Sequence, residues 1–205
     1  MELSELICRL QRSYDREAKD RDESPKQSWK LAEREGFLRR LQSHQASSVL
    51  EIGAGTGHDS RFFQDRRLRP TCVDLSEEMV GLCRAKGLTA YRMNFLELGF
   101  PSASFDAAWA MNCLLHVPKN HLAGVLEGVR RVLKDGGLFY LGVYGGQNSE
   151  GVWDQDHHQP QRFFSFFTDE DLKAAVRPYF AIRDFHAVDY GHRIFHFQSM
   201  TLQKA

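Results

Sequence analysis

The chain has 205 residues, 42% hydrophobic and 26% charged, enough for one domain around a single substantial core. Lys plus Arg and Asp plus Glu both number 27, so no overall field draws the protein to nucleic acid or anionic lipid, and no apolar run approaches the roughly 18 residues of a membrane-spanning helix. Four scattered cysteines (Cys8, Cys72, Cys83, Cys113), with no Cys-x-x-Cys pair and no signal peptide before them, point to free thiols and a cytoplasmic location.

Leu3, Leu6, Ile7 and Leu10 recur at helical spacing and predict an amphipathic first helix. The charge-dense stretch from Tyr14 to Lys26, closed by Ser24-Pro25, reads as a mobile connection. Trp29, Phe37, Leu38 and Leu41 predict a second helix with Trp29 near its start.

Val49-Leu50-Glu51-Ile52-Gly53-Ala54-Gly55-Thr56-Gly57-His58-Asp59-Ser60 is the stretch around which the rest is organised. A short apolar strand carrying an acid breaks into alternating glycines and then a polar helix start. Such a turn lets the main chain pass where a β-carbon would strike a ligand, and leaves amide hydrogens free at the helix N-terminus. The third glycine stands at Gly57 rather than at the position of His58, so the dinucleotide pattern Gly-x-Gly-x-x-Gly fits imperfectly. Glu51, flanked by Leu50 and Ile52, needs a cationic or hydrogen-bonding partner, which a cofactor ammonium would supply.

Asp59 and Ser60 open the following helix, with Phe62 and Phe63 facing the sheet, and Arg61, Arg66, Arg67 and Arg69 read as a solvated face. Thr71-Cys72-Val73 predicts a second strand ending at Asp74, which lies 21 residues after Gly53, near the spacing of a ribose-binding carboxylate; the other reading of Asp74 is a helix cap. Ser76 is the better cap, since Glu77 and Glu78 then occupy the first turn, and Gly87 stops that helix.

Thr89 to Met93 alternates as an edge strand, and Phe105 to Met111 reads as a central strand covered on both faces. Asn112 to Val117 follows at its carboxyl end, where ligands of open α/β sheets collect, and His116 there is either a base or a local hydrogen-bonding histidine. Pro118 starts a helix whose apolar face runs Leu122, Val125, Leu126, Val129 and Val132, ended by Gly136-Gly137, and Leu138 to Tyr144 is the next strand. Gly145 to Phe167, holding Trp153, Asp154, Asp156, His157, His158 and a Phe-rich end, reads as an irregular loop that covers a substrate. Thr168 to Asp171 caps a short helix ending near Pro178, and Phe180 to Val188 with Arg193 to Leu202 predicts a hairpin.

Glu51 through Gly57 resembles the first motif of the class I S-adenosylmethionine-dependent methyltransferases. Val73 to Met79 resembles their second motif, Asn94 to Phe100 with Ser104-Phe105-Asp106 the third, and Arg131 to Gly137 the segment opening the fifth strand. The likeness covers about residues 45 to 145. It implies an α/β, Rossmann-like doubly wound fold: a seven-stranded, mostly parallel sheet with an antiparallel C-terminal strand and helices on both faces. One methyltransferase domain is expected over 1–205, with a helical lid region (1–44), a cofactor-binding core (45–145), a substrate-covering loop (145–167) and a C-terminal helix and hairpin (168–205).

The implied cofactor is S-adenosyl-L-methionine, with S-adenosyl-L-homocysteine as product. Its expected contacts are Glu51, Gly53, Ala54, Gly55, Thr56, Asp59, Asp74, Leu75, Met79, Asn94, Phe95 and Asn112, with Trp29 and Lys30 from the lid, where Tyr14 is also a candidate wall residue. Asn94 matches the position whose side chain meets the adenine amino group, although a turn role for Asn94 and a core role for Phe95 stay open.

Methyl transfer from a sulfonium asks mainly for alignment and dry surroundings, with a base only where the accepting atom starts protonated. Candidate bases are His157, His158 and His116, and Trp29, Trp153 or Phe163 could face the sulfonium charge. Asp154, Asp156, His157 and His158 crowd one loop, and His192 and His196 stand four apart on an expected strand. No arrangement matches a known ligand spacing, so no metal is expected. The expected acceptor is a small molecule taking the methyl on O, N or S. Neither nucleic acid nor membrane is expected as a partner, and the protein is expected as monomer or homodimer. Two further readings are a nicotinamide-dependent oxidoreductase and a non-catalytic S-adenosylmethionine-binding subunit.

Overall fold

The computed structural model describes residues 2–205. Two helices, α1 (Leu3–Glu23) and α2 (Ser28–Ser43), precede β1 (Ser48–Ile52), α3 (His58–Asp65), β2 (Arg69–Asp74), α4 (Glu77–Ala85) and β3 (Thr89–Arg92). Next come β4 (Phe105–Met111), a 3-10 turn (Leu114–His116), α5 (Lys119–Val132) and β5 (Leu133–Gly145). The chain ends with β6 (Ser149–Val152), β7 (Phe163–Phe166), α6 (Asp169–Val176), β8 (Ala181–Val188) and β9 (His196–Gln203).

Seven strands lie in the order β3-β2-β1-β4-β5-β9-β8, and β9 alone runs antiparallel to its neighbours. This is the expected doubly wound, Rossmann-like sheet. The strand period of two sends alternate side chains to opposite cores. Leu50, Ile52, Ala108, Ala110, Phe139 and Leu141 meet α5 and α6, while Val49, Ala107, Trp109, Leu138 and Tyr140 meet α2 and α3. On α5, Val125, Leu126, Val129 and Val132 are fully buried, each worth about 1.5–3 kcal/mol relative to exposure. Trp109 and Tyr140 stack with ring centroids 4.0 Å apart in the opposite core.

The start of β1 is tied to β4 by one carboxylate. Asp106 Oδ2 accepts from the backbone N–H and hydroxyl groups of both Ser47 and Ser48, each at 2.9 Å, and its other oxygen takes Lys134 Nζ at 2.7 Å. Although burial opposes it, these donors hold the Asp106 carboxyl well below the usual carboxylate range.

Four expectations need correction. Tyr14 to Lys26 is not a mobile connection, because α1 continues to Glu23 and breaks only before Pro25. Its charges serve distant partners: Arg16 Nη1 donates to Gln159 O at 3.1 Å and Asp22 pairs with Lys86 at 2.6 Å, while earlier on the same helix Arg9 Nε donates to Gln161 O at 2.5 Å.

Gly145 to Phe167 is not wholly irregular. β6 and β7 pair antiparallel as a separate two-stranded sheet, with Gly151 opposite Phe164.

Helix α5 stops at Val132 rather than at Gly136-Gly137, because Leu133 is already extended and pairs with Phe105. Gly137 lies within this strand, where a β-carbon would lie 2.8 Å from Lys134 O.

Finally, β9 begins at His196. His192 sits in a turn instead, its Nδ1 accepting from the N–H groups of Ile194 at 3.2 Å and Phe195 at 3.1 Å.

Candidate active site

The carboxyl ends of β1, β2 and β4 converge on the glycine loop, with α1 and α2 packed across them. Gly53 and Gly57 are glycines because neighbours leave no room. A β-carbon on Gly53 would lie 2.4 Å from Cys113 Cβ, and one on Gly57 would lie 2.7 Å from Leu88 Cδ1. Gly55 differs, since a β-carbon there would meet no heavy atom within 4 Å. The loop is therefore pinned at both ends and open in the middle.

Two acids lie under this opening. Glu51 is 4% exposed, its Oε2 accepts from Ser60 Oγ, and burial together with the neighbouring negative charge of Asp59 pushes its carboxyl well above the usual range. Asp59 is matched, by Lys26 at 2.5 Å, Arg34 at 3.0 Å and the Trp109 indole N–H at 3.1 Å. Glu51 has no such cation among the described residues, so a ligand ammonium would supply what the fold leaves out.

Asp74 ends β2 with Oδ2 accepting from Gly55 N–H at 2.8 Å and Oδ1 from Ser76 N–H at 3.0 Å. Burial pushes its carboxyl up to about 6 in spite of these donors. Each oxygen keeps a lone pair that vicinal hydroxyls could use. Ser76 caps α4 as expected, accepting from Met79 N–H at 3.1 Å.

Three connected hollows follow. The first, about 400 Å³, is bordered by Glu51, Gly53, Ala54, Gly55, Thr56 and Asp59, with Lys30 and Asn112 at its edge. The second, about 60 Å³, lies against Asp74, Leu75 and Phe95 and is roofed by Leu10 and Tyr14 of α1. The third, about 250 Å³, is an aromatic chamber beneath the β6–β7 flap, with Trp153, Phe164 and Phe166 in its wall. Arg21 and Asn112 border all three, and Lys30 joins the first to the third. Asn112 has φ 57°, and its buried Oδ1 has no hydrogen-bond partner, an acceptor left open at the junction.

The structure does not bring every expected residue here. Met79 is fully buried in the core. Asn94 turns its Oδ1 back to Leu96 N–H at 3.0 Å, the Asx-turn role that was its other reading. Trp29 lies outside the three hollows, packed on Phe197 at 4.6 Å and stacked on Tyr190 at 6.1 Å.

The three histidines fare differently from expectation. His116 is buried, with Nδ1 2.8 Å from Phe163 O and Nε2 2.8 Å from Tyr14 OH. A carbonyl can only accept, so Nδ1 carries the proton and Nε2 accepts from the phenol. Burial, joined by the Arg162 charge, pushes this imidazole down to about 3. His116 is thus a neutral structural acceptor, with no lone pair free for substrate. His157 is exposed and borders none of the three hollows. His158 is half-buried, edge-on to Tyr14 at 6.1 Å, and lowered by burial and by Arg162.

Among the described residues, no three His, Cys, Asp or Glu side chains gather as a metal-binding group. Asp156 is taken by Arg162, through bonds of 2.7 to 2.8 Å, and His196 by Asp169 at 2.7 Å.

The sequence reading missed Arg21 and Arg162. Leu10, Tyr14 and Arg21 share one helix face, a spacing that would have exposed Arg21 had α1 been extended through the charged stretch. Arg162 carried no such local sign. Its partners, Asp156 and Tyr14 OH at 3.1 Å, come together only in the fold.

Residues 49–137 match a family described as a methyltransferase domain. The chain is 32% identical over 123 residues to a sterol 24-C-methyltransferase of Gibberella zeae, covering 56% of this chain and 31% of that protein. It is 29% identical over 140 residues to a demethylmenaquinone methyltransferase of Tropheryma whipplei, covering 66% and 56%. The chain thus spans between about a third and just over half the length of these curated relatives. Among solved structures it resembles a Burkholderia thailandensis 1,6-didemethyltoxoflavin-N1-methyltransferase with bound 1,6-didemethyltoxoflavin and S-adenosylhomocysteine. That likeness has a TM-score of 0.78 at 24% identity and covers 100% of this chain and 91% of that one.

Proposed function

We propose that this chain, whose residues 49–137 match a methyltransferase domain, is a class I S-adenosylmethionine-dependent methyltransferase and moves a methyl group from that cofactor to an O, N or S atom of a small molecule. The observation that carries the reading is the continuity of the open glycine loop with the aromatic chamber through Asn112, Arg21 and Lys30. A donor seated on the loop and an acceptor in the chamber would meet at that junction.

Several features support the cofactor's fit: the space over Gly55, the unpaired buried acid Glu51 and the spare lone pairs of Asp74. In this reading Glu51 takes the cofactor ammonium, the loop from Gly53 to Thr56 lies beneath its amino-acid tail, Asp74 accepts from the ribose, and Leu75 and Phe95 flank the base. When bound, the cofactor supplies an electrophilic methyl and leaves as a neutral thioether, so the protein's work is orientation and exclusion of water. Trp153, Phe164 and Phe166 dry the chamber, and Tyr14 roofs both it and the ribose side.

The match of residues 49–137 to a methyltransferase domain favours this reading over the nicotinamide one. Turnover separates an enzyme from a non-catalytic subunit. Incubating the protein with methyl-labelled S-adenosylmethionine and fractionated metabolite pools should label a small molecule. Loss of the label in Trp153→Ala, with cofactor affinity kept, would place the acceptor in the chamber, whereas no labelled product from any pool would overturn the reading.

A further inference from the structure

The 250 Å³ chamber is walled mainly by aromatic rings and carries charges of one sign. On the flap side Trp153 meets Phe164 edge-on at 5.4 Å, Phe164 stacks on Phe166 at 5.5 Å, and Phe166 meets Phe195 at 4.6 Å. Tyr144 and Tyr190, 5.0 Å apart, form the facing wall. Slots between such rings favour a flat, polarisable guest over a flexible chain.

Arg21, Lys30 and Arg162 reach into the same space, and no Asp or Glu is among the described residues that line it. Arg162 is neutralised outside the chamber by Asp156, 2.7 Å away. Arg21 and Lys30 form no ion pair among the described residues. Lys30 lies over the rings of Trp29 at 5.1 Å and Tyr144 at 5.7 Å, and burial with the charges of Lys26 and Arg21 pulls its ammonium down to about 8. The chamber therefore carries two cations without an anionic partner, the half-buried Lys30 and the solvent-exposed Arg21, and a bound anion could pair with both. The cofactor does not remove the surplus. Its ammonium falls to Glu51, its carboxylate can satisfy one of the two cations, and its sulfonium adds a positive charge of its own.

We infer that the methyl acceptor is a planar aromatic anion, a carboxylate or phenolate, seated between the flap phenylalanines and the tyrosines with its charge toward Arg21 and Lys30. The inference rests on the methyltransferase reading for identifying the chamber as the acceptor site.

Isothermal titration of the full chain, with and without S-adenosylhomocysteine, tests it with three probes: 2-naphthoate, its neutral isostere 2-naphthamide, and the flexible anion octanoate. Naphthoate should bind at least about tenfold tighter than either of the others. Arg21→Met and Lys30→Met should each shrink the naphthoate preference to within about threefold while leaving naphthamide affinity in place. Should a variant fail to fold, the wild-type ratios decide alone. Equal binding of naphthoate and naphthamide in both conditions overturns the anion, and equal binding of naphthoate and octanoate overturns the aromatic slot. If S-adenosylhomocysteine binds but naphthoate shows no preference, the inference falls and the methyltransferase reading stands. If naphthoate is preferred and S-adenosylhomocysteine does not bind, the methyltransferase reading falls and with it the guest's role as methyl acceptor, while the chamber's preference for a planar aromatic anion stands.

Discussion

Tyr14 OH donates to His116 Nε2 across 2.8 Å, and this bond joins the N-terminal helix to the turn that follows the central strand. Arg162 Nη1 donates to the same phenol oxygen at 3.1 Å, so helix, sheet and flap meet at one atom. The hydroxyl also borders the two hollows on either side of it. The position of α1 is therefore coupled to the shape of the site.

Tyr14→Phe should cost about 0.5–1.5 kcal/mol in denaturant unfolding, because it leaves the buried Nε2 of His116 without a donor. Amide exchange along residues 3–23 should quicken in the variant. Unchanged protection there would show that the bond does not hold α1 down.

Gly53→Ala and Gly55→Ala should part company. The first places a β-carbon 2.4 Å from Cys113 Cβ and should lower stability by about 1–3 kcal/mol. The second points into open space and should fold, at a cost of roughly 1 kcal/mol for its positive φ, yet weaken S-adenosylhomocysteine by at least about tenfold. Equal affinity in Gly55→Ala would mean that no ligand crosses the loop at that point.

Cofactor affinity should depend on pH through the raised acids. Glu51 sits well above the usual carboxylate range and Asp74 near 6, both from burial, so the empty site favours their protonated forms. A ligand that brings a cation to Glu51 needs the ionised form, and binding should tighten as the pH rises through these values. Glu51→Gln should flatten most of the slope in titrations between pH 5.5 and 8. A wild-type affinity constant over that range would contradict the assignment.

Asp106→Ala should destabilise the protein by about 1–3 kcal/mol at neutral pH by freeing four donors of Ser47 and Ser48. The native pKa lies below that of the unfolded chain, so this contribution is present above about pH 4 and is lost as the pH falls through the native value. Thermal melts should show the gap between wild type and variant closing on acidification; a constant gap would argue against the ionised latch.

The individual strands, the glycine loop and the Ser76 cap were legible because each rests on local rules: strand and helix periods, turns without side chains, and a hydroxyl before acids in a first turn; the arrangement of the strands into one sheet was only implied by the family resemblance. The rest depended on partners far along the chain. The charges between Tyr14 and Lys26 looked like a mobile connection because Gln159 and Lys86, which they meet, lie between about 60 and 145 residues away. The apolar run Phe163–Phe166 lacks the alternation that announces a strand, and its pairing with β6 appears only in three dimensions. Met79 closes the second motif and Trp29 lies in the expected lid; both are apolar, and composition does not distinguish a core side chain from a cofactor wall. His116 shows the same limit for chemistry, since its titration is governed by burial, a carbonyl and a phenol from three separate segments.

Thermal unfolding with added S-adenosylhomocysteine, run beside NAD and repeated on Asp74→Ala, puts the central claim to the most direct trial. The account predicts a rise of roughly 5–10 °C at a hundredfold excess over Kd for S-adenosylhomocysteine, none for NAD, and a binding loss of about 1–3 kcal/mol in the variant. No shift with S-adenosylhomocysteine, or a shift produced by NAD instead, would contradict it.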